Sequence, residues 1–451
     1  MLTHGNHPSI ALQPIDSGMF RLSSASVKYF TTSAVPSLPL KNVKVLDLSR
    51  VLAGPWATQL FGDLGADVWK IERPGLGDDT RHWGPPFVKN RNSNGDEEDS
   101  NMTSYFSCAN RNKKSLAIDI ASKRGAAIVR ELAKDCDIIF ENFKVNGLEK
   151  YGLDYDSLSS LNPRLVYVSI TGYGQEGPRS HELGYDFMVQ AGAGLMSITG
   201  DADHPTGVKA GVAVVDVLTG MYAASLGMAS LLRARETGVG EYIDLSLMDV
   251  GLVTLANQAA AALCTGNAPQ RRGNSHPSIC PYDALPTSDG SIVVAAGNDA
   301  QFRALSDIVE PSLQDNPLFA TNPLRVQHRQ ALLQALGQAT KAFSTAQLLD
   351  ICQQSNVPAS PINDLTQALE DSSICHREVV QHLPTGTDTN AKDPQTIPVL
   401  HLPALFRSLP REKLPRTPPP RLGQDTHAVL RDQLNISPAE WDSLCNEDIV
   451  Q

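Results

Sequence analysis

From about residue 43 onward, apolar positions switch repeatedly between the short runs of strands and the wider spacing of helices. Residues 43–48 (VKVLDL) form a Val/Leu run bounded by polar residues, the pattern of a strand buried on both faces of a parallel sheet. Ala53-Gly54-Pro55 follows with proline at the first helical position, and helical spacing continues to about Leu64, where Gly65 ends it. Residues 67–72 (DVWKIE) predict a second strand, completing a βαβ unit whose crossover is right-handed. The same alternation predicts a helix over 123–134 and strands over 137–141 and 165–170. Together these describe a doubly wound, Rossmann-like α/β layer. No GxGxxG follows the first strand, which disfavours a dinucleotide-dependent enzyme.

Further along, residues 217–235 predict a helix dense in small side chains (Ala223, Ala224, Ser225, Gly227, Ala229, Ser230), which lets another backbone approach closely. Thr237-Gly238-Val239-Gly240 ends it, and a strand over 241–247 and a helix over 248–263 follow. Beyond about Gly273 the texture changes. A strand over 291–296 comes after the Ser288-Asp289-Gly290 turn, with helices over 300–309, 328–343 and 345–353. The expected organisation is a leader or disordered tail over 1–40, the first part of a large domain over 41–272, and a small α+β domain over 273–370. A linker, proline-rich at 410–420, would then return the chain to the large domain over 371–451. Residues 90–100 (NRNSNGDEEDS) contain no apolar residue and predict a solvated insertion in a loop.

Length and composition fit this picture and narrow the function. A chain of 451 residues with 41% apolar and 19% charged residues suits two domains of a globular protein. Its net charge of −11 argues against broad binding to nucleic acid or to an anionic membrane surface. Seven scattered cysteines without a CxxC pair read as reduced thiols with no structural metal. No stretch reaches 18 uninterrupted apolar residues, so no membrane-spanning segment is expected. Residues 19–40 carry Arg21 and Lys28, many Ser and Thr, and no Asp or Glu, the composition of a transit peptide directing the chain to the mitochondrial matrix. Residues 1–18 hold Asp16 but no Lys or Arg, which makes Met19 a rival start.

One carboxylate draws interest. Asp216 stands directly before a long apolar helix, where an Asp is most simply an N-cap. Its neighbours Val214, Val215, Val217 and Leu218 would also strip water from it. A desolvated carboxylate is a better nucleophile with a raised pKa, and a helix N-terminus helps to hold it ionised. Both roles remain open at this level.

The ordered segments VLDLSRVLAGPWATQLFGDLGADVWKIERPG, NRNKKSLAIDI, ENF, GYGQEGP, GYD, TGVGEYIDLSLMD and PPPRLGQDTHAVL resemble the motif series of the CaiB/BaiF (formyl-CoA transferase-like, class III) CoA-transferases. The resemblance runs from residue 43 to about 430. Within that family, ERPGLGDDTRHWGPPF at 72–87 is most similar to the mitochondrial succinyl-CoA:glutarate enzymes. What this implies is an interlocked homodimer that moves CoA from an acyl-CoA, succinyl-CoA, to a small carboxylic acid such as glutarate. The route would be an aspartyl mixed anhydride, with the CoA thioester as substrate and no tightly bound cofactor.

Carried over by position, Asp216 is the catalytic aspartate, and Val51, Leu52 and Ala53 lie along CoA. Arg73 meets its nucleotide end, Asn142 and Phe143 add a contact, and Lys150 stands where relatives use Arg. Tyr185 belongs to the same site and occupies the position where the related α-methylacyl-CoA racemases carry a histidine. A tyrosine, with a pKa of about 10, exchanges protons poorly at neutral pH, which disfavours the racemase alternative. A non-catalytic acyl-CoA-binding protein is the other alternative, if Asp216 only caps a helix. Two segments depart from the family: Gly273-Asn274-Ser275-His276-Pro277 replaces a glycine-run lid, and Lys144-Val145-Asn146-Gly147 replaces a Pro-Gly pair. A dicarboxylate acceptor needs its second carboxylate gripped, and Arg81 and Arg111 are the candidates; for Arg81 a structural ion pair is the competing role.

Overall fold

A computed structural model describes residues 37–91, 97–385 and 396–451. Most of the acid-free segment at 19–40 therefore lies outside the described residues. Residues Leu38–Gln451 form one compact unit. Eight strands come first in chain order: β1 (Lys44–Asp47), β2 (Asp67–Glu72), β3 (Phe87–Arg91), β4 (Glu97–Thr103), β5 (Lys114–Ala117), β6 (Ile138–Glu141), β7 (Val166–Thr171) and β8 (Glu241–Ser246). Between and after them run helices α1 (Ala53–Asp63), α2 (Ser104–Ala109), α3 (Lys123–Lys134), α4 (Tyr155–Leu161), α5 (Asp186–Gly192), α6 (Leu195–Ile198), α7 (Val214–Thr237), α8 (Leu247–Val253) and α9 (Ala256–Thr265).

Six strands make a sheet in the order β5-β2-β1-β6-β7-β8, every pairing parallel. The order runs outward from β1 in one direction and then restarts beside it at β6. The crevice at this reversal, outside the carboxyl ends of the strands, is where open α/β sheets bind ligands. Both sheet faces are covered. Ala57 and Phe61 of α1 pack with Ala223, Ala224 and Leu231 of α7 on one face. Val129 and Leu132 of α3, Leu158 of α4, and Val429, Leu430 and Leu444 from the C-terminal segment cover the other. Burial on both faces explains the unbroken apolar runs in the sequence. The C-terminal segment is tied to the main chain of β5: Ser115 N donates to Asp425 Oδ2, and Ala117 N to Thr426 Oγ1, both at 3.0 Å.

The change of texture near Gly273 corresponds to a separate apolar cluster. There β9 (Tyr282–Pro286) and β10 (Ser291–Ala295) form a hairpin extended by β11 (Ala359–Pro361). Leu285, Ile292 and Val294 pack against Phe302, Leu332 and Leu348 from the surrounding helices.

Several local expectations are corrected. The polar run at 90–100 is not simply a loop: β3 and β4 pair as an antiparallel hairpin through Asn90↔Glu98 and Arg91↔Glu97, and residues 92–96 lie outside the described residues. The hairpin's root supplies the missing apolar anchor, since Val88 and Met102 pack with Leu383, Ile397 and Val399. These last belong to a second hairpin, β12 (Val380–Pro384) with β13 (Thr396–Leu400), which the sequence did not signal. The helix expected over 248–263 is two, α8 and α9, bent by 78°. Thr254 Oγ1 bonds back to the Gly251 carbonyl and Ala256 adopts φ 46°, which stops α8. Helix α1 begins at Ala53, so Pro55 is its third residue rather than its first; its missing amide is still harmless there.

Helix α7 is, by length and composition alone, long and apolar enough to cross a membrane. One side of it packs into the core through Val215, Ala223, Ala224, Leu231 and Ala234, while Leu226 and Leu232 are exposed on the other. It starts three residues before the predicted boundary, which places Asp216 inside its first turn.

Candidate active site

At the reversal point, the chain leaving β1 turns sharply into α1. Val51 sits in that turn at φ 71°, a left-handed conformation that costs a β-branched residue about 1–3 kcal/mol. The turn is held from two sides. Asn142, just past β6, accepts from Arg50 N at 2.8 Å and donates to Arg50 O at 2.7 Å. Asp78 accepts from Val51 N through both carboxylate oxygens, each at 3.3 Å. A cavity of about 480 Å³ opens beside this turn at the carboxyl ends of β1, β2, β5 and β6; Arg50, Arg73, Asp78, Ile120, Phe143 and Tyr151 are among its walls. The Arg50 guanidinium lies over Phe143, 5.6 Å from the ring centroid, and Lys150 Nζ lies 4.7 Å from that of Tyr151. Of the residues named by the resemblance, Arg73 and Phe143 line this cavity, while Asn142 is bonded to Arg50 and Lys150 lies over Tyr151, both of which are cavity walls.

Beneath the turn lies a set of buried charges. Lys70, fully buried in β2, pairs with Asp78 at 2.9 Å and donates to Ser49 O at 2.8 Å. Asp47 accepts from the hydroxyls of Ser49 and Thr58 and pairs with Lys113. Burial alone would push Asp47 up; Lys113, Lys70 and the two hydroxyls outweigh it and hold the carboxyl at about 2. Lys113, by contrast, is pushed down to about 8 by burial despite the help of Asp47.

Asp216 belongs to a different environment. It is the third residue of α7, not its cap. The cap is supplied from a distance by Asp186, the first residue of α5, whose Oδ1 accepts from Val215 N at 2.8 Å and Asp216 N at 3.2 Å. Gln190 Nε2 donates to the other oxygen of Asp186 at 2.6 Å. Asp186 reaches this position because Gly172 after β7 and Gly184 meet backbone to backbone; a Cβ on Gly172 would lie 2.5 Å from Gly184 Cα. The Asp216 carboxylate itself accepts no hydrogen bond among the described residues. Burial pushes it up to about 7, and the charge of Asp186 adds to the push. Tyr105 on α2 is pushed up to about 12, first by burial and then by the charge of Asp216.

Helix α7 joins the two environments. Gly220, one turn beyond Asp216 and on the same face, sits against α1 so closely that a Cβ would lie 2.6 Å from Ala53 O. Asp216 thus lies one helical turn before the contact of α7 with the start of α1.

Other predicted residues fall elsewhere. Tyr185 is the residue before α5, 59% exposed, on the Asp216 side rather than in the cavity wall. Leu52, the residue before α1, is buried. Neither arginine offered for the second carboxylate is free. Arg81 grips Glu72 with Nε and Nη2, each at 2.7 Å, donates to Pro420 O, and stacks on Phe106 at 3.7 Å. Arg111 grips Asp63 in the same two-pronged way. Both are tied to the fold because buried carboxylates there have the prior claim on them. The 273–277 segment is pinned too, through Gly273 N to Gly200 O at 3.1 Å.

Asp186, Asp78 and Lys70 are the residues that sequence reasoning missed. Lys70 carried a signal: a lysine within a strand buried on both faces has to be paired.

Comparison with known proteins bears on this geometry. The profile of CoA-transferase family III matches residues 40–426. The succinate–glutarate CoA-transferase of Agrobacterium fabrum is 42% identical over 395 residues, covering 87% of this chain and 95% of that protein. The succinyl-CoA:glutarate CoA-transferase of Mus musculus is 39% identical over 415 residues, covering 92% and 90%. Among solved structures, a CaiB/BaiF family protein from Brucella suis superimposes with a TM-score of 0.77 at 39% identity, over 88% of this chain and all of that one.

Proposed function

Because the chain belongs to CoA-transferase family III and is a CoA-transferase, we propose that it passes CoA between succinyl-CoA and glutarate, with Asp216 as the carboxylate that carries the acyl group. The observation that carries the catalytic role is the state of Asp216: desolvated, without a hydrogen-bond donor among the described residues, and relieved of capping by Asp186. Attack by its oxygen on the thioester carbonyl forms the acyl–oxygen bond of a mixed anhydride and breaks the C–S bond, releasing CoA as thiolate. The thiolate then attacks the Asp216 carbonyl, freeing the donor acid and leaving an aspartyl thioester. The acceptor carboxylate repeats these steps in reverse and restores the Asp216 carboxylate. One thioester is exchanged for another, so the two directions are nearly equal in energy.

The cavity beside the Val51 turn suits the nucleotide part of CoA, whose phosphates match Arg50, Arg73 and Lys150. Phe187 (56% exposed), Leu232 (71%), Val253 (61%) and Leu263 (88%) leave an apolar surface on α5 and α7–α9 that a second subunit of an interlocked dimer would cover. The acid-free segment at 19–40 supports mitochondrial import.

The test offers succinyl-CoA with a panel of mono- and dicarboxylic acids to wild type and Asp216→Ala, and identifies new thioesters by mass spectrometry. Glutaryl-CoA from wild type, and at least about a thousandfold less from the variant, is expected. Turnover by Asp216→Ala above about a tenth of wild type would move the nucleophile elsewhere.

A further inference from the structure

We propose that Asp78 is a positioning residue for the CoA-binding turn, its buried carboxylate holding Val51 in a left-handed conformation that valine does not adopt by itself. The inference rests on the reading of residues 51–53 as a CoA-binding segment and deepens it.

A β-branched residue at φ 71° persists only where its surroundings over-determine it. Asn142 holds Arg50 from one side; the bonds that reach Val51 itself and Ser49 from the other side come from one connected set. Val51 N donates to both oxygens of Asp78. Asp78, 1% exposed, also accepts from Thr80 N at 2.9 Å and Thr80 Oγ1 at 2.7 Å, which fixes its rotamer. Lys70 Nζ bridges Asp78 to Ser49 O, so one ammonium ties the carboxylate to the chain two residues before Val51. Behind them Glu72 Oε2 accepts from Asp78 N at 2.9 Å and is itself gripped by Arg81. The run from Arg81 through Glu72 and Asp78 to Val51 is thus a brace from the protein interior to the cavity wall. Asp78 itself faces the cavity that Arg50 and Arg73 line. A carboxylate is a poor direct partner for the phosphates of CoA. Its placement there makes sense if it acts on the backbone, with its charge cancelled by Lys70.

Glycine supplies the decisive test, because it takes φ 71° without steric cost and so needs no brace. Asp78→Asn keeps an acceptor oxygen but loses the charge that grips both the Val51 amide and Lys70. In the Val51 background, Asp78→Asn should raise the KM for succinyl-CoA about tenfold while kcat changes less than about threefold. In a Val51→Gly background the same substitution should raise KM by no more than about threefold. Titration calorimetry with free CoA should show the same relief in affinity, independent of turnover. If Asp78→Asn does not accumulate as folded protein, Asp78→Glu carries the test, since it keeps the ion pair with Lys70 but displaces the carboxylate by one methylene. An unchanged KM in Asp78→Asn, or an equal rise with valine and with glycine at 51, would overturn the proposal and leave Asp78 a structural ion-pair residue. Failure of the wild type to transfer CoA is a separate outcome, striking the functional reading and not the brace measured by CoA binding.

Discussion

The carboxyl edge of the sheet contains two neighbouring groups of buried carboxylates treated in opposite ways. Under the Val51 turn, Asp47, Glu72 and Asp78 are each matched by a cation, Lys113, Arg81 and Lys70, and further satisfied by hydroxyls or amides. At the start of α7, no cation and no donor reaches the Asp216 carboxylate among the described residues, and the charge that acts on it is that of another carboxylate, Asp186. Burial acts on every one of these groups and disfavours the charged form. Where partners are present it is overcome, and Asp47 is held at about 2. Where they are absent it prevails, and Asp216 rises to about 7. The paired group spends its electrostatics on holding a backbone shape. The unpaired one keeps its lone pairs available for an electrophile.

The sharpest way to break this contrast is to unpair a member of the first group. Arg81→Met leaves Glu72 buried without its main cation, and breaking a buried pair in this way costs about 3–5 kcal/mol. A melting temperature lowered by several degrees is expected, with any loss of transfer shared equally by mono- and dicarboxylic acceptors. A KM rise confined to dicarboxylates, in a protein that melts normally, would return Arg81 to the substrate site.

Relieving the second group should do the reverse. A carboxyl whose folded pKa is raised binds its proton more tightly in the native state. Its stabilising effect is complete below the unfolded value of 3.8 and is lost as pH rises through about 7. Asp216→Asn removes that loss. The variant should melt higher than wild type at pH 8, by the equivalent of about 1–3 kcal/mol, and nearly equally at pH 4. A variant less stable than wild type at pH 8 would mean that Asp216 finds partners in the folded protein.

The paired group was nearly illegible in the sequence, and the reason is geometric. Asp47, Lys70, Asp78 and Lys113 come from four separate segments, and only the sheet order β5-β2-β1-β6 brings them together. The sheet itself was readable, because strands buried on both faces have to be continuous apolar runs: β2 and α3 appear at their predicted bounds. Asp216 was readable as a residue, with the roles of cap and nucleophile both left open by its local sequence. Sequence proximity to α7 suggested a cap, while the cap comes from Asp186, thirty positions earlier, through a glycine–glycine contact that no local pattern encodes. Arg81 was left between two roles for a related reason. A motif tells which residues travel together, whereas the demand of Glu72 for a partner depends on its burial in β2.

The smallest expected effect separates the two causes that act on Asp216. Asp186→Asn keeps an oxygen to accept from Val215 N and Asp216 N, so α7 starts where it did, but removes the neighbouring charge. The amide nitrogen of the new side chain would face Gln190 Nε2, a loss of one hydrogen bond worth about 1 kcal/mol of stability. Burial remains the larger cause and is untouched. Asp216 should therefore fall only part of the way from about 7 toward its ordinary value of 3.8. Nucleophilic attack needs the ionised form, so the acid limb of the kcat/KM profile should move to lower pH by about half a unit to one unit. The shift is read from the pH profile and is separable from any uniform loss of rate caused by the broken contact with Gln190. A limb that stays in place would assign the raised value to burial alone. A limb that moves to higher pH would show that Asp186 helps to keep Asp216 ionised, through the helix start that both residues share.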